Sequence, residues 1–290
     1  MRPISSPLKW TGSKKKLVSD IINLIPQDYN IYYEPFLGSA IVMLNLNPQK
    51  AYCSELISEP IVVMKAIQNN ADDFLEKFRL LADSLWNKGG DFYYETRDKY
   101  NMYKDSMGDV MRAAWFVFLV KSCFNGVIRF NRNKNNSWNV PWGKRGYKNL
   151  PTNNKSICTK EYEKVVYACA QILKSGAKKF NVCSFEEAID QANINDLIYA
   201  DPPYLLTDHN KYHQVWDEAA ELLLANKLKE AHARGAKFIL SNVYTYKGRT
   251  NDKLLELYRR FTHKFIEHQY IIGPKGDRRP KVAEILIYNF

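Results

Sequence analysis

The chain has 290 residues and an ordinary globular composition, with 46% hydrophobic and 13% aromatic residues. This length allows one large domain, or one domain with a substantial insertion, around a core of real size. The 42 Lys and Arg residues outnumber the 31 Asp and Glu residues and leave a formal net charge of +11. This surplus indicates a polyanionic partner, either nucleic acid or an anionic membrane surface, and general solubility is the alternative. The longest apolar run is too short to cross a bilayer, and the first residues lack the apolar core of a signal peptide. We therefore expect a cytoplasmic protein without membrane contact.

Cysteine and histidine usage argues against a metal site or a disulfide framework. The five cysteines are odd in number and show no CxxC spacing, which is typical of reduced thiols. His209 and His213 are spaced as two metal ligands on a helix would be, but no clear third ligand accompanies them. Surface histidines are the favoured interpretation, and no metal is expected.

The predicted elements alternate between short strands rich in Ile, Val, Tyr and Phe and amphipathic helices. Strands are predicted at 31–34, 50–54, 178–183, 197–200, 237–241, 263–272 and 282–289. Helices are predicted at 14–25, 40–46, 161–174 and 217–234. This alternation predicts an α/β fold with a doubly wound, mostly parallel, seven-stranded sheet of Rossmann-like type.

One interval breaks the alternation of strands and helices. It is predicted to contain helices at 61–70, 73–87 and 110–123, followed by a β-hairpin over 129–142 that turns at 133–137. We therefore predict an inserted domain at 59–155 within a single domain formed by 1–58 and 156–290.

The segment 110–160 has an unusual charge distribution, because it contains no Asp or Glu but ten Lys and Arg residues. Aromatic residues and asparagines lie between these basic residues. Such a segment can neutralise phosphates and contact base edges, as a DNA-recognition surface must. A solvated basic loop is the alternative interpretation.

The strongest candidate for chemistry is the tetrapeptide Asp201, Pro202, Pro203 and Tyr204, directly after the predicted strand 197–200. Doubly wound sheets bind ligands beyond the carboxyl ends of their strands. An Asp carboxylate and a prolyl carbonyl can accept both hydrogens of an aromatic amino group, and the tyrosine can stack on its ring. A simple turn at the end of a strand is the alternative.

A second candidate segment, 34–40, also lies between a predicted strand and a predicted helix. Gly38 allows the backbone to approach a cofactor closely. Glu55 stands at the end of the next strand, where nucleotide-type folds place the acidic partner of ribose hydroxyls. A third segment, 9–14, has a glycine turn between lysines that could hold a phosphate, but it lacks the full P-loop spacing.

Together these segments resemble the N6-adenine DNA methyltransferases in which the cofactor motifs come first, the recognition region is inserted and the catalytic motif follows; the DNA adenine methylases that act on GATC are the best-known members. Residues 9–14 resemble K-W-x-G-G-K, residues 34–40 resemble E-P-F-x-G-x-G, and residues 201–204 match D-P-P-Y without change. Residues 129–131 and 138–143 resemble the R-Y-N and F-N-V-P-F-G recognition hairpin. Segments 184–185, 241–242 and 284–289 fit lesser motifs.

The resemblance implies a Rossmann-like methyltransferase that uses S-adenosylmethionine, releases S-adenosylhomocysteine and methylates N6 of a flipped-out adenine in double-stranded DNA. The catalytic residues would be Asp201, Pro202, Pro203 and Tyr204. The cofactor would contact Lys9, Trp10, Gly12, Lys14, Glu34, Pro35, Phe36, Gly38, Ser39, Glu55, Ser184, Phe185 and Asp201. The DNA would contact Lys9, Lys121, Asn125, Arg129, Asn131, Arg132, Asn139, Pro141 and Lys144.

Within these sets, the resemblance places Glu55 on the ribose, Phe185 against the cofactor adenine and Arg129 on a guanine next to the target adenine. The expected site is GATC or another site that contains GA. The chain departs from the family pattern at Ser13 and Ala40, where glycines are usual, and at Ser184, where Asp is frequent. These departures leave the strength of cofactor binding open.

Two other functions stay open at this point. One is a methyltransferase that acts on RNA adenine or on a protein amide. The other is a DNA-binding protein that keeps the fold but has lost activity, for which Ala40 is the only hint. We expect a monomer, or a dimer on DNA, and the sequence does not distinguish a restriction system from a phage or a housekeeping pathway.

Overall fold

The computed structural model describes residues 3–143, 157–206, 216–269 and 281–290. The chain divides into two compact units. The first, here called the helical unit, consists of Met1–Leu24, Gly38–Gln49 and Ile57–Val182. The second, the sheet unit, consists of Ile25–Leu37, Lys50–Leu56 and Cys183–Phe290.

The strands of the main sheet follow the predicted pattern closely. They are β1 (Tyr32–Glu34), β2 (Lys50–Glu55), β5 (Ala177–Val182), β6 (Leu197–Ala200), β7 (Lys237–Tyr246), β8 (Arg249–Thr250), β9 (Thr262–Gln269) and β10 (Lys281–Tyr288). The main order is β5-β2-β1-β6-β7-β10-β9, and β8 pairs with β7 outside this path. β1 is parallel to β2 and β6, β6 is parallel to β7, and β10 is antiparallel to β7 and β9. The prediction of a mainly parallel, seven-stranded α/β sheet is confirmed.

The described helices are α1 (Val18–Leu24), α2 (Ile41–Leu46), α3 (Ser58–Lys88), α4 (Gly90–Tyr103), α5 (Asp109–Ser122), α6 (Lys160–Lys174), α7 (Phe185–Asp190), α8 (Glu218–Ala233) and α9 (Asp252–Leu257). Among the described residues, no helix combines the length and apolar character needed to cross a membrane.

In the sheet unit, one face of the sheet packs against α7, α8 and α9. Ile189 of α7, Leu228 of α8 and Leu254 of α9 share a buried cluster with Phe238 of β7 and Ile285 of β10. β6 is buried at every position, which is typical of a central parallel strand. This packing fixes the strand whose end carries Asp201.

Several predicted boundaries in the helical unit were wrong. The predicted helix 14–25 is divided, because Lys14–Lys16 form a 3-10 turn before α1 begins at Val18. The predicted helices 61–70 and 73–87 are the two helical parts of α3, which are separated by a kink at Asn70. Asn70 has non-helical backbone angles, and its side chain accepts a hydrogen bond from the Asp73 amide at 3.1 Å. The interruption at this position was predicted correctly, and the first helical part begins three residues earlier than predicted, at Ser58.

Within the described ranges, three helices were not predicted: α4, α7 and α9. In α4 the buried positions are Tyr93, Thr96 and Tyr100. They have helical spacing but carry hydroxyl groups, so the segment lacks the aliphatic periodicity on which helix prediction depends.

The predicted hairpin is present in the helical unit, with a shorter ladder than expected. β3 (Phe130–Asn131) pairs with β4 (Ser137–Trp138) in antiparallel register. Ser137, which was predicted as part of the turn, belongs to β4. The Asn131 side chain accepts a hydrogen bond from the Asn133 amide at 3.2 Å, which starts the 3-10 turn between the strands.

Candidate active site and DNA interface

Three carboxylates lie at one edge of the sheet unit. Glu34 ends β1, Glu55 ends β2 and Asp201 follows β6. Because β1 is parallel to both neighbours, these strand ends meet at the same edge. Glu34 and Glu55 are 2% and 7% exposed, whereas Asp201 is half-buried. The structure therefore brings these predicted site carboxylates together where α/β sheets bind ligands.

Asp201 and Tyr204 are in direct contact. The Tyr204 hydroxyl donates a hydrogen bond to Asp201 Oδ1 at 2.8 Å. Burial and the nearby Asp201 carboxylate raise the pKa of Tyr204 well above its usual value, so the hydroxyl stays protonated and acts as a donor. Of the two prolines between these residues in the sequence, Pro202 is buried and Pro203 is half-buried. The tetrapeptide is a compact loop whose polar end is the Asp201 carboxylate.

The buried Glu34 carboxylate has a partner in its own strand, since Tyr32 Oη donates to Glu34 Oε2 at 2.8 Å. Burial, followed by the Glu34 charge, raises the pKa of Tyr32 well above its usual value. Glu55 Oε1 accepts a hydrogen bond from the Leu56 amide at 3.1 Å. Both carboxylates are therefore held in defined orientations.

Two predicted cofactor residues of the sheet unit, Phe36 and Phe185, form an aromatic cluster with Trp216. The rings of Phe36 and Phe185 stack with centroids 5.4 Å apart. The Trp216 ring lies 5.7 Å from each of them. The three rings thus pack on one another, with Trp216 buried and Phe36 and Phe185 half-buried.

Trp216, which packs against two predicted cofactor residues, was not among the residues that the sequence analysis singled out. It is 5% exposed, and its Nε1 donates to Glu221 Oε2 at 3.2 Å. Glu221 Oε1 in turn accepts from Asn242 Nδ2 at 3.0 Å. One sequence signal could have pointed to Trp216: it is an aromatic residue directly before the N-cap of α8. That N-cap is Asp217, whose side chain accepts a hydrogen bond from the Ala220 amide.

In the helical unit, the segment 9–14 contacts the end of the segment 34–40. A Cβ atom added to Gly38 would lie 2.8 Å from Trp10 Cδ1, and Gly38 has φ +47°. Both facts require glycine there. Ser39 Oγ donates to Ser13 Oγ at 3.1 Å. The buried Lys14 ammonium donates to the Gly12 carbonyl at 3.1 Å, which closes the turn.

The three departures from the family pattern have distinct structural positions. Ser13 bonds to Ser39, as described above. Ala40 is fully buried and has φ 57° at the start of α2, a left-handed conformation that costs a non-glycine residue about 1–2 kcal/mol. It precedes the helix, which was predicted to begin at residue 40. Ser184 caps α7 by accepting from the Glu187 amide at 3.3 Å.

The predicted recognition hairpin holds Arg129 through Asn139. Arg129 Nε donates to Asn139 Oδ1 at 2.7 Å, and Nη2 donates to the Asn139 carbonyl at 3.1 Å. The guanidinium is half-buried and is thus oriented before any DNA binds. The Pro141 carbonyl accepts from the Phe124 amide at 2.8 Å, which ties the end of the hairpin to the loop after α5.

Three residues of α4 and its end support this hairpin, and sequence reasoning missed them all. The buried Tyr93 hydroxyl accepts from Trp138 Nε1 at 3.0 Å and donates to the Val140 carbonyl at 2.8 Å. Asn101 Oδ1 accepts from the Trp138 backbone amide at 2.7 Å, and Asn101 Nδ2 donates to the Trp138 backbone carbonyl at 2.9 Å. Lys104 donates to the carbonyls of Asn135 and Asn136 in the turn.

Two of the predicted DNA-contacting lysines are anchored within the helical unit. Lys121 Nζ lies 4.1 Å from the centroid of the Tyr162 ring. Lys9 Nζ donates to the Asn125 carbonyl at 2.6 Å, and the Lys9 stem crosses Gly126 closely. Asn125 is exposed with φ 55°. Lys144, His209, His213 and the Arg132 side chain lie outside the described parts of the chain.

Comparison with known proteins assigns the family. A family model described as D12 class N6 adenine-specific DNA methyltransferase matches residues 10–272. The chain belongs to this family. It is therefore a member of a family of adenine-specific DNA methyltransferases, as the resemblance of residues 201–204 and of the hairpin motif predicted.

Individual relatives match over almost their entire length. The Type II methyltransferase M.MjaIII of Methanocaldococcus jannaschii is 30% identical over 98% of this chain and 98% of its own. The Type II methyltransferase M1.LlaDCHI of Lactococcus lactis subsp. cremoris is 29% identical over 100% of this chain and 96% of its own. The retron Ec67 DNA adenine methylase of Escherichia coli is 27% identical over 98% of this chain and 90% of its own.

Proposed function

We propose that this protein transfers a methyl group from S-adenosylmethionine to N6 of a flipped-out adenine in duplex DNA, within GATC or another site that contains GA. The observation that carries the proposal is the position of Asp201, Pro202, Pro203 and Tyr204. They follow a buried parallel strand directly and share its edge with Glu34 and Glu55.

Adenine N6 is paired and stacked inside a duplex, so the base must leave the helix at a cost of a few kcal/mol. In the proposed reaction, the Asp201 carboxylate and the Pro202 carbonyl accept the two hydrogens of the amino group. This draws the nitrogen lone pair out of conjugation and directs it toward the methyl donor. S-adenosylmethionine, when bound, supplies a methyl group on a sulfonium leaving group, so no metal is required.

The contact between Tyr204 and Asp201 gives this proposal a definite first step. The Tyr204 hydroxyl donates to Asp201 Oδ1. In the proposed reaction, the Asp201 carboxylate must instead accept a hydrogen from the target amino group. We infer that the entering adenine displaces this hydrogen bond, which frees the Tyr204 ring to stack on the base.

The residues of the sheet unit fit the cofactor. Glu55 is a buried acceptor at the end of β2, suited to ribose hydroxyls, and the half-buried rings of Phe36 and Phe185 would contact the cofactor adenine. The roles of Lys9, Trp10, Gly12, Lys14, Gly38 and Ser39 in cofactor binding rest on the sequence resemblance.

The proposal assigns target recognition to the inserted interval 59–155. Arg129 is oriented by Asn139, and a guanidinium can bond in a bidentate way to O6 and N7 of guanine. Arg129 would thus recognise the G on the 5′ side of the target adenine.

A methyl-transfer assay tests the function. The protein is incubated with methyl-labelled S-adenosylmethionine and, separately, duplex DNA, RNA and a protein mixture, and the labelled DNA nucleosides are separated. We expect label in DNA as N6-methyladenine, and single-molecule sequencing of that DNA identifies the site. Label in RNA or protein alone would contradict the proposal, as would binding of DNA without any transfer or cofactor binding.

A further inference from the structure

A second basic element lies in the sheet unit, outside the acid-free segment 110–160. β7 continues past the end of β6 and turns into β8 as a tight hairpin, with Thr245 opposite Thr250 and Tyr246 opposite Arg249. The two turn residues, Lys247 and Gly248, both have positive φ, at 50° and 77°. This is the type I′ geometry that forms rigid two-residue hairpin turns.

The hairpin projects from the edge that carries Asp201. Ala200, the last residue of β6, lies opposite Leu240 of β7, and β7 ends at Tyr246. At about 3.3 Å per residue, β7 therefore extends roughly 20 Å beyond the end of β6. The end of the hairpin therefore lies beyond the carboxyl end of β6, the strand that the tetrapeptide 201–204 follows.

The hairpin tip, residues 246–249, is basic and makes a hydrogen bond to the chain just after the tetrapeptide 201–204. Lys247 and Arg249 are exposed, and the Lys247 ammonium lies 5.1 Å from the centroid of the Tyr246 ring. Arg249 Nη2 donates to the carbonyl of Leu206 at 3.4 Å, two residues beyond Tyr204. At the base of the hairpin, Asp252 accepts from Tyr244 Oη and Thr250 Oγ1 at 3.0 and 3.1 Å, so this nearby carboxylate is engaged below the tip.

We propose that Lys247 and Arg249 bind the DNA backbone phosphates next to the flipped nucleotide. A flipped base stays covalently attached to its backbone, so its phosphates remain at the rim of the pocket that receives it. The contact to Leu206 places a guanidinium, which pairs well with phosphate, at the rim beside the catalytic loop. This inference rests on the proposed function and adds a DNA contact in the sheet unit.

The test compares two variants that remove the same charge. The double variant Lys247→Asn/Arg249→Gln keeps the turn, because Asn tolerates the left-handed conformation. The control is Arg259→Gln/Arg260→Gln, two exposed arginines that precede β9. Thr262, the first residue of β9, pairs with Tyr288 of β10, and Tyr288 pairs on its other side with Ile239, near the start of β7. The control residues, which precede β9, therefore lie toward the edge of the sheet opposite the one that carries Asp201.

Duplex binding is measured as a function of salt, together with steady-state methylation and S-adenosylhomocysteine affinity. In the hairpin variant, we expect the slope of log K against log salt to fall by about 2, since each phosphate contact contributes about 0.9. The KM for DNA should rise about 10-fold or more, while S-adenosylhomocysteine affinity stays unchanged. The control should keep nearly the full slope.

Equal effects in the two variants would overturn the hairpin assignment, because they would show only a general charge effect. If the double variant no longer binds S-adenosylhomocysteine, the single variant Arg249→Gln replaces it, with an expected loss of about one slope unit; an unchanged slope would again overturn the assignment. Absence of methyl transfer and DNA binding in the unmodified protein would instead refute the proposed function itself.

Discussion

The acidic edge of the sheet unit and the β3–β4 hairpin of the helical unit are built in different ways. At the edge, Glu34, Glu55 and Asp201 are placed by the strands that they end or follow, so the backbone ladder of the parallel sheet fixes their positions. The hairpin instead depends on hydrogen bonds from the side chains of Tyr93 and Asn101. The proposed catalytic edge thus follows from strand order, whereas the proposed recognition hairpin relies on individual side-chain contacts.

The largest expected effect separates the two regions. Asp201→Ala should lower the rate of methyl transfer by about 10³-fold or more, because it removes the acceptor that polarises the target amine. DNA binding should change little. Both are measured by methyl incorporation and by duplex titration, with Asp190→Ala, an exposed carboxylate on α7, as the control. Full activity in Asp201→Ala would refute the role of this carboxylate.

Gly38→Ala tests the backbone requirement within the segment 34–40. The change introduces strain at φ +47° and a contact of 2.8 Å to Trp10 Cδ1, so we expect a loss of about 2–4 kcal/mol in the free energy of unfolding. Gly12→Ala is the matched control, since Gly12 has φ +80° but no atom within 4 Å of the added Cβ. The control should lose only about 1–2 kcal/mol. Equal losses in denaturant titrations would mean that Trp10 moves aside at no cost.

Tyr93→Phe tests the distant support of the hairpin. It leaves the buried Trp138 indole N–H and the Val140 carbonyl without their hydroxyl partner, which should cost about 2–3 kcal/mol of stability. Discrimination between target sites should weaken, while S-adenosylhomocysteine affinity stays unchanged. Tyr94→Phe, at a neighbouring exposed position, should change stability by less than about 0.5 kcal/mol. Unaltered site discrimination would show that the hairpin does not depend on α4.

Arg129→Ala should have the most specific effect. We expect discrimination at the guanine next to the target adenine to weaken by about 1–3 kcal/mol, with little change at other positions. Arg129→Lys should not restore it, because lysine lacks the planar fork. The measurement is kcat/KM on duplexes that differ only at that base pair. Unchanged discrimination would assign the guanine to another residue.

The sequence was sufficient for the site residues that lie at strand ends. The tetrapeptide 201–204 follows an apolar strand, and Glu55 ends the next strand after Gly38, so strand order alone brings them to one edge. The sequence was insufficient for Trp216, Tyr93 and Asn101, because their roles arise from contacts with distant segments. The left-handed backbone of Ala40 was also not predicted: alanine there argues for an ordinary helix start, and the glycine usual at this position in the family was the available signal.

The most direct test is whether the target adenine leaves the duplex. A duplex that carries 2-aminopurine in place of the target adenine is titrated with the protein and S-adenosylhomocysteine, and a duplex with the probe outside the site is the control. We expect the fluorescence of the target probe to rise several-fold as it unstacks, and the control probe to change little. Tight binding of this duplex without a rise in probe fluorescence would contradict an active site in which Asp201 and Pro202 accept hydrogen bonds from an extruded base.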